Sequence, residues 1–218
     1  MQGMHRLQMI AAIGTLALVP GMAWPGTPAP GALRVAALSA ELYSRGIASG
    51  DALAVLVAAH LRKGLNATPA APPAGGAAPA EPGPDTGFLD WQVMLEAGRM
   101  LAADDPMLAS LADDIAAGAG RGVSTGPIYR IAAVEGESRA KVAELYFSGG
   151  AYAEAYVEAA PGIDLDLYIR DEAGLVVCKD TGGYNIGYCG WTPAEDGTFT
   201  VEVVNGSPGP AEYTLMTN

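Results

Sequence analysis

Few residues in this chain have the types and spacing that chemistry requires. Gly122-Val-Ser-Thr-Gly126 fits the Gly-x-Ser-x-Gly turn that presents a hydrolytic serine, and Ser138-Arg-Ala-Lys141 fits the Ser-x-x-Lys of serine acylation. The first pattern needs a strand before it, a helix after it and a later histidine to take the serine proton. Here a helical pattern precedes it, a strand pattern follows it, and the only histidines, His5 and His60, both lie upstream. The second lacks its companion motifs and sits where a turn enters a strand. Neither supports catalysis, so no catalytic residue is assigned and the chain is read as a non-enzyme.

Metal chemistry is equally constrained. Zinc asks for three or four histidine and thiolate ligands, and His60, the one histidine outside the N-terminal segment 1–23, with only two cysteines cannot supply a closed set. Calcium takes carboxylate and carbonyl oxygens from several loops. Asp164 and Asp166 share one side of a strand pattern, and Asp171 with Glu172 and Asp180 follows closely in sequence. Asp164, Asp166 and Asp171 are therefore the candidate calcium ligands, although no repeat or loop motif accompanies them. No other cofactor is indicated.

Two further groups remain. Tyr152 and Tyr156 alternate with Glu154 and Glu158, while Tyr184, Tyr188 and Trp191 surround the second cysteine. Aromatic planes beside carboxylates suit sugar or peptide contact, so Tyr152, Tyr156, Tyr184 and Tyr188 are the candidate ligand-binding residues. Trp191 is read as core. Cys178 and Cys189 are the only cysteines and lie close together; in an oxidising compartment they are expected to pair, as a staple across neighbouring strands.

The elements that must position these residues fall into two parts. The chain of 218 residues begins with Arg6, an apolar run from Met9 to Val19 and small residues at Gly21 and Ala23. That is the layout of a signal peptide over 1–23, too short for a membrane span, and it predicts a periplasmic or secreted protein with no span in the mature chain. Residues 24–67 carry apolar residues at helical spacing around a Gly-Ile-Ala-Ser-Gly-Asp break and predict a helical hairpin, its second helix capped by Ser49 or Asp51. Residues 68–86, dominated by Pro, Ala and Gly, read as a flexible linker. A second hairpin follows over 87–121, with Asp105 and Pro106 opening its second helix.

After Gly126 the period changes from helical to two. Eight short segments, from Ile128–Val134 to Glu212–Thr217, alternate apolar and polar residues between Gly, Pro, Asp and Asn. In the run Asp164-Leu-Asp-Leu-Tyr-Ile-Arg170, Leu165, Leu167 and Ile169 share a face that a second sheet must cover. The fold expected is α+β by segregation: about four short helices, then an eight-stranded antiparallel β-sandwich over 122–218.

Asp164–Tyr168, the cysteine pair, Trp191–Pro193, Gly197–Asn205 and Tyr213–Asn218 occur in an order that resembles the bacterial pre-peptidase C-terminal domain group. The resemblance covers residues 128–218. It implies a jelly-roll-like sandwich that serves binding, secretion or stability behind exported hydrolases. Here no protease-like domain precedes it, because residues 24–121 are small, Ala-rich and poor in His, Cys and Ser clusters.

Charge narrows the partners. Twelve basic residues against 24 acidic ones give a net charge of −12. Such a surface repels phosphate backbones, which excludes nucleic acid and leaves an unknown protein or polysaccharide. The function expected is an exported, non-catalytic binding module; the alternatives are an accessory domain for stability or secretion, and a calcium- or carbohydrate-binding sandwich.

Overall fold

A computed structural model describes residues 31–70, 90–118 and 126–218, with the backbone alone at 143 and 144. Residues 1–23, expected to be a signal peptide, the part of the expected linker beyond Ala70 and the Gly122–Thr125 part of the hydrolase-like pattern lie outside these residues.

Four helices come first: α1 (Ala32–Ser49), α2 (Ala52–Gly64), α3 (Trp91–Leu101) and α4 (Pro106–Ala117). Three are capped by an aspartate whose side chain accepts a backbone N–H of the first turn: Asp51 for α2, Asp90 for α3 and Asp105, with Pro106 behind it, for α4. Gly50, at φ 71°, ends α1 in the left-handed conformation that a side chain resists. Lys63 does not serve its own helix. Its Nζ donates to the carbonyls of Ile115 and Ala116 at 2.7 and 3.0 Å, capping the end of α4. Leu56, Ala59, Met94, Leu95, Ala112 and Ile115 form the core among the helices.

The strands are β1 (Thr68–Pro69), β2 (Ile128–Val134), β3 (Ser138–Phe147), β4 (Ala153–Ala159), β5 (Leu165–Arg170), β6 (Val176–Asp180), β7 (Ile186–Trp191), β8 (Gly197–Asn205) and β9 (Ala211–Thr217). One sheet runs β1-β2-β9-β4-β7 and the other β3-β8-β5-β6. Apart from β1, all pairings are antiparallel, and the order is that of a jelly roll. The fold is thus α+β by segregation, as the change of period predicts.

Thr68 and Pro69 depart from the expectation of a linker beginning at 68. They add a short parallel strand to the edge of β2, with Ala70 N–H donating to the Tyr129 carbonyl at 2.7 Å.

Leu165, Leu167 and Ile169 are fully buried between the sheets, against Val157, Val201, Val203 and Leu215. Burying each side chain stabilises by about 1.5–3 kcal/mol. Phe147, Trp191 and Phe199 close one end of this core, Phe147 meeting each of the other two edge to face. The outer face of the five-stranded sheet is also covered. Leu33, Ala36 and Ala37 of α1 pack onto Tyr156 and Met216, giving three layers: helices, sheet, sheet.

That third layer overturns one reading. All seven residues of β4 are buried, so Tyr156 and its neighbours Glu154 and Glu158 face α1 and α2 instead of a ligand. Strand alternation marks two faces but does not say whether the polar one is covered.

A candidate ligand-binding groove between helix and sandwich

Helix α1 crosses the five-stranded sheet beside its edge strand β7, and a groove of about 490 Å³ runs between them. Arg34, Glu41 and Arg45 recur seven and four residues apart, which puts them on one side of α1. They line the groove with Ser44. The opposite wall comes from the end of β6, the β6–β7 turn and β7: Asp180, Tyr184, Asn185 and Tyr188.

The turn is held by its own polar groups. Tyr188 N–H donates to Asp180 Oδ2 at 3.0 Å, Asn185 Nδ2 donates to the Ala159 carbonyl at 2.8 Å, and Leu165 N–H donates to the Tyr184 carbonyl at 2.8 Å. Gly183, at φ 72°, supplies the left-handed residue the turn needs. Tyr184 stands 69 % exposed on the rim.

Tyr188 forms the floor. Its hydroxyl donates to Glu154 Oε1 at 2.7 Å and meets the Tyr152 hydroxyl at 3.0 Å, while the Arg34 guanidinium lies 5.3 Å above its ring. Burial, then the hydrogen bonds with Tyr152 and Glu154, push the Tyr188 phenol far above its ordinary range, so it stays a neutral donor. Glu154, only 1 % exposed, also accepts the Arg34 N–H at 3.3 Å. It thereby caps α1 from the sheet, since Gly31 at the helix start has no side chain to do so. A Cβ at Gly31 would collide with that carboxylate.

Of the four candidate tyrosines, Tyr184 and Tyr188 line the groove, Tyr152 supports Tyr188 from behind, and Tyr156 is sealed beneath the helices. The residues missed from sequence are Arg34, Glu41 and Arg45. Their helical spacing is legible, but nothing local says which sheet edge they face.

The aspartate set does not assemble. Asp164 precedes β5 and Asp171 follows it, and the seven residue steps between them span roughly 23 Å in extended chain. Asp171 instead accepts the Leu175 N–H at 2.8 Å in the β5–β6 turn. Among the described residues no three His, Cys, Asp or Glu side chains come together to hold a metal ion. Asp166 lies near Asp164 and Asp180; burial, then these two charges, raise its pKa.

Cys178 and Cys189 are bonded, with Cα atoms 5.9 Å apart. They join β6 to β7, edge strands of opposite sheets, so the staple closes the open side of the sandwich next to the groove. No helix among the described residues is long and apolar enough to cross a membrane.

The fold and groove define a helix-covered jelly-roll sandwich. No protein family matches the sequence, and no curated protein does. Among solved structures, the pre-peptidase C-terminal domain of a Bacillus anthracis collagenase is similar over 39 % of this chain and 91 % of its own, at 12 % identity and a TM-score of 0.30. The Yersinia pseudotuberculosis-derived mitogen is similar over 43 % of this chain and 85 % of its own, at 11 % identity and 0.32. The periplasmic inhibitor of g-type lysozyme from Aeromonas hydrophila matches over 42 % and 86 %, at 10 % identity and 0.32.

Proposed function

We propose that this protein is an exported, non-catalytic interaction module that holds a protein segment or a polysaccharide in the groove between α1 and the β6–β7 turn. The observation that carries the reading is that Tyr184 and Tyr188 meet Arg34, Glu41 and Arg45 across one groove. Aromatic surface with donors and acceptors on both walls is what an extended polar ligand requires. These groups bind and orient; His60, the one described histidine, lines a different depression with Val35 and Leu61 and has no part in the groove.

Export is supported by the leader-like 1–23 segment and by the cysteine pair. Residues 128–218 are, in this reading, a sandwich of the pre-peptidase C-terminal kind, supported by the ordered motifs from Asp164 to Asn218.

A second reading has a specific observation behind it. The Arg62–Glu158 ion pair ties helices to sandwich through the buried interior, as an accessory domain that stabilises its neighbour would need.

The test is capture from native envelope and culture medium on immobilised wild-type chain and on the Tyr184→Ala/Arg45→Glu variant. A component held by the first and lost from the second supports the groove. Identical captures, or none, favour the accessory role.

A further inference from the structure

The end of the sandwich that Phe147, Trp191 and Phe199 close opens outward into a depression of about 510 Å³. Two connections wall it, the turn between β5 and β6 and the loop between β7 and β8. The turn contributes Asp171 and Glu172, the loop contributes Glu195 and Asp196, and the buried rings of Trp191 and Phe199 form the floor.

Backbone bonds hold the rim in place. Asp171 Oδ1 accepts the Leu175 N–H at 2.8 Å, and Asp196 Oδ1 accepts the Gly149 N–H at 2.8 Å. Glu172 Oε1 accepts the Thr198 N–H at 3.0 Å and the Thr198 hydroxyl at 2.8 Å, and these bonds hold the Glu172 pKa below the ordinary carboxylate value. The Gly150 N–H donates to the Pro193 carbonyl at 2.8 Å and fixes the loop. All these donors are neutral, so they position the carboxylates without cancelling their charge.

No cation answers the rim. Among the described residues none of the four carboxylates is in an ion pair, and no lysine, arginine or histidine lines the depression. Lys141 and Arg170 border Asp171 and Glu172 from an adjoining depression, where Arg170 is bonded to Glu202 and to the Gly174 carbonyl. Glu195 and Asp196 lie outside that adjoining set.

An independent observation points to what completes the site. Trp191 is 9 % exposed, it lines the depression, and its Nε1–H is buried with no hydrogen-bond partner among the described residues. Buried indole N–H groups ordinarily have an acceptor. The occupant must therefore bring positive charge for the rim and an acceptor for the indole. A metal ion brings no acceptor, and no three of the described carboxylates come close enough to hold one. A guanidinium is broad, planar and rich in N–H donors, which suits carboxylates spaced around a rim, and the peptide that carries it has carbonyl groups. We infer that this depression binds a basic polypeptide segment, seating an arginine side chain among Asp171, Glu172, Glu195 and Asp196 with a main-chain carbonyl of the segment on Trp191 Nε1. The site lies toward the other end of β6 and β7 from the groove against α1.

The test is titration of the full chain with a capped five-residue peptide of two arginines among alanines, followed by fluorescence anisotropy and by the indole N–H resonance of Trp191, which Trp191→Phe identifies. Comparison ligands are the same peptide with citrulline for arginine, and spermine. Glu172→Gln/Glu195→Gln removes two rim charges; Asp104→Asn/Asp114→Asn removes two exposed charges from the helical part. The expected result is binding of the arginine peptide with a shift of the Trp191 resonance, weakened roughly tenfold by the rim pair of substitutions and unchanged by the helical pair. No binding, equal binding of the citrulline peptide, equal weakening by both pairs, or an unmoved Trp191 resonance overturns the inference. Spermine binding as tightly as the peptide, with the same resonance shift, overturns it in favour of a free polyamine.

Discussion

Arg62 on α2 and Glu158 on β4 form an ion pair at 2.8 Å, with side chains only 2 % and 0 % exposed. The Tyr156 hydroxyl donates to the same carboxylate oxygen at 2.7 Å, and Arg62 also donates to Ser39 Oγ and the Ala36 carbonyl, each at 3.3 Å. One network thus joins α1, α2 and β4, and it holds the helical wall of the groove against the sandwich. Breaking a buried pair leaves an uncompensated charge, at a cost of about 3–5 kcal/mol. Arg62→Met should lose that much in urea denaturation, and Arg62→Met/Glu158→Met should recover most of it. A single-variant loss near zero would show that the pair is no clamp.

Leu167 lies at the centre of β5 with no exposed surface. Leu167→Ala should cost about 2–5 kcal/mol. Denaturant midpoints check this, and an unchanged midpoint would refute the inward facing of the strand.

The Cys178–Cys189 bond closes a loop of 11 residues in sequence separation, for which chain entropy gives roughly 2–3 kcal/mol. Cys178→Ser/Cys189→Ser should lower the thermal midpoint accordingly. Because the bond joins the two sheets, hydrogen exchange in the variant should rise first in β6 and β7. A uniform rise across both sheets would count against its local role.

Asp166 sets a pH dependence. Its folded-state pKa is raised, by burial first and then by Asp164 and Asp180, so the folded chain binds its proton more tightly than the unfolded chain does. Stability from this group is present in acid and falls as pH rises from the ordinary aspartate range through the raised value. Asp166→Asn removes that fall and should be the more stable protein near neutral pH. Denaturation midpoints of both proteins between about pH 3 and 7 test the sign; a wild type that gains on the variant as pH rises would contradict it.

The legible parts of the fold are those that local sequence determines. Ile128–Val134 forms β2 with the bounds its alternation predicts, and Asp105 with Pro106 opens α4 because a cap and a fixed φ are local properties. The covered face of β4 was not legible. Tyr156 and Glu158 look solvated in alternation, and the arginine that buries Glu158 is 96 residues away. Asp164 and Asp171 bracket a whole strand and so do not meet, a separation that the length of the alternating run already implies. The groove was half legible: Tyr184 and Tyr188 stood out as aromatics beside a cysteine, whereas Arg34, Glu41 and Arg45 acquire meaning only once α1 lies along β7.

The most direct measurement of the central claim is amide hydrogen exchange of the full chain, with and without the component captured from envelope or medium. The account predicts new protection in residues 34–45 of α1 and 180–188 of the β6–β7 turn and β7. Protection confined to other elements, with these two segments unchanged, would contradict a binding groove between helix and sandwich.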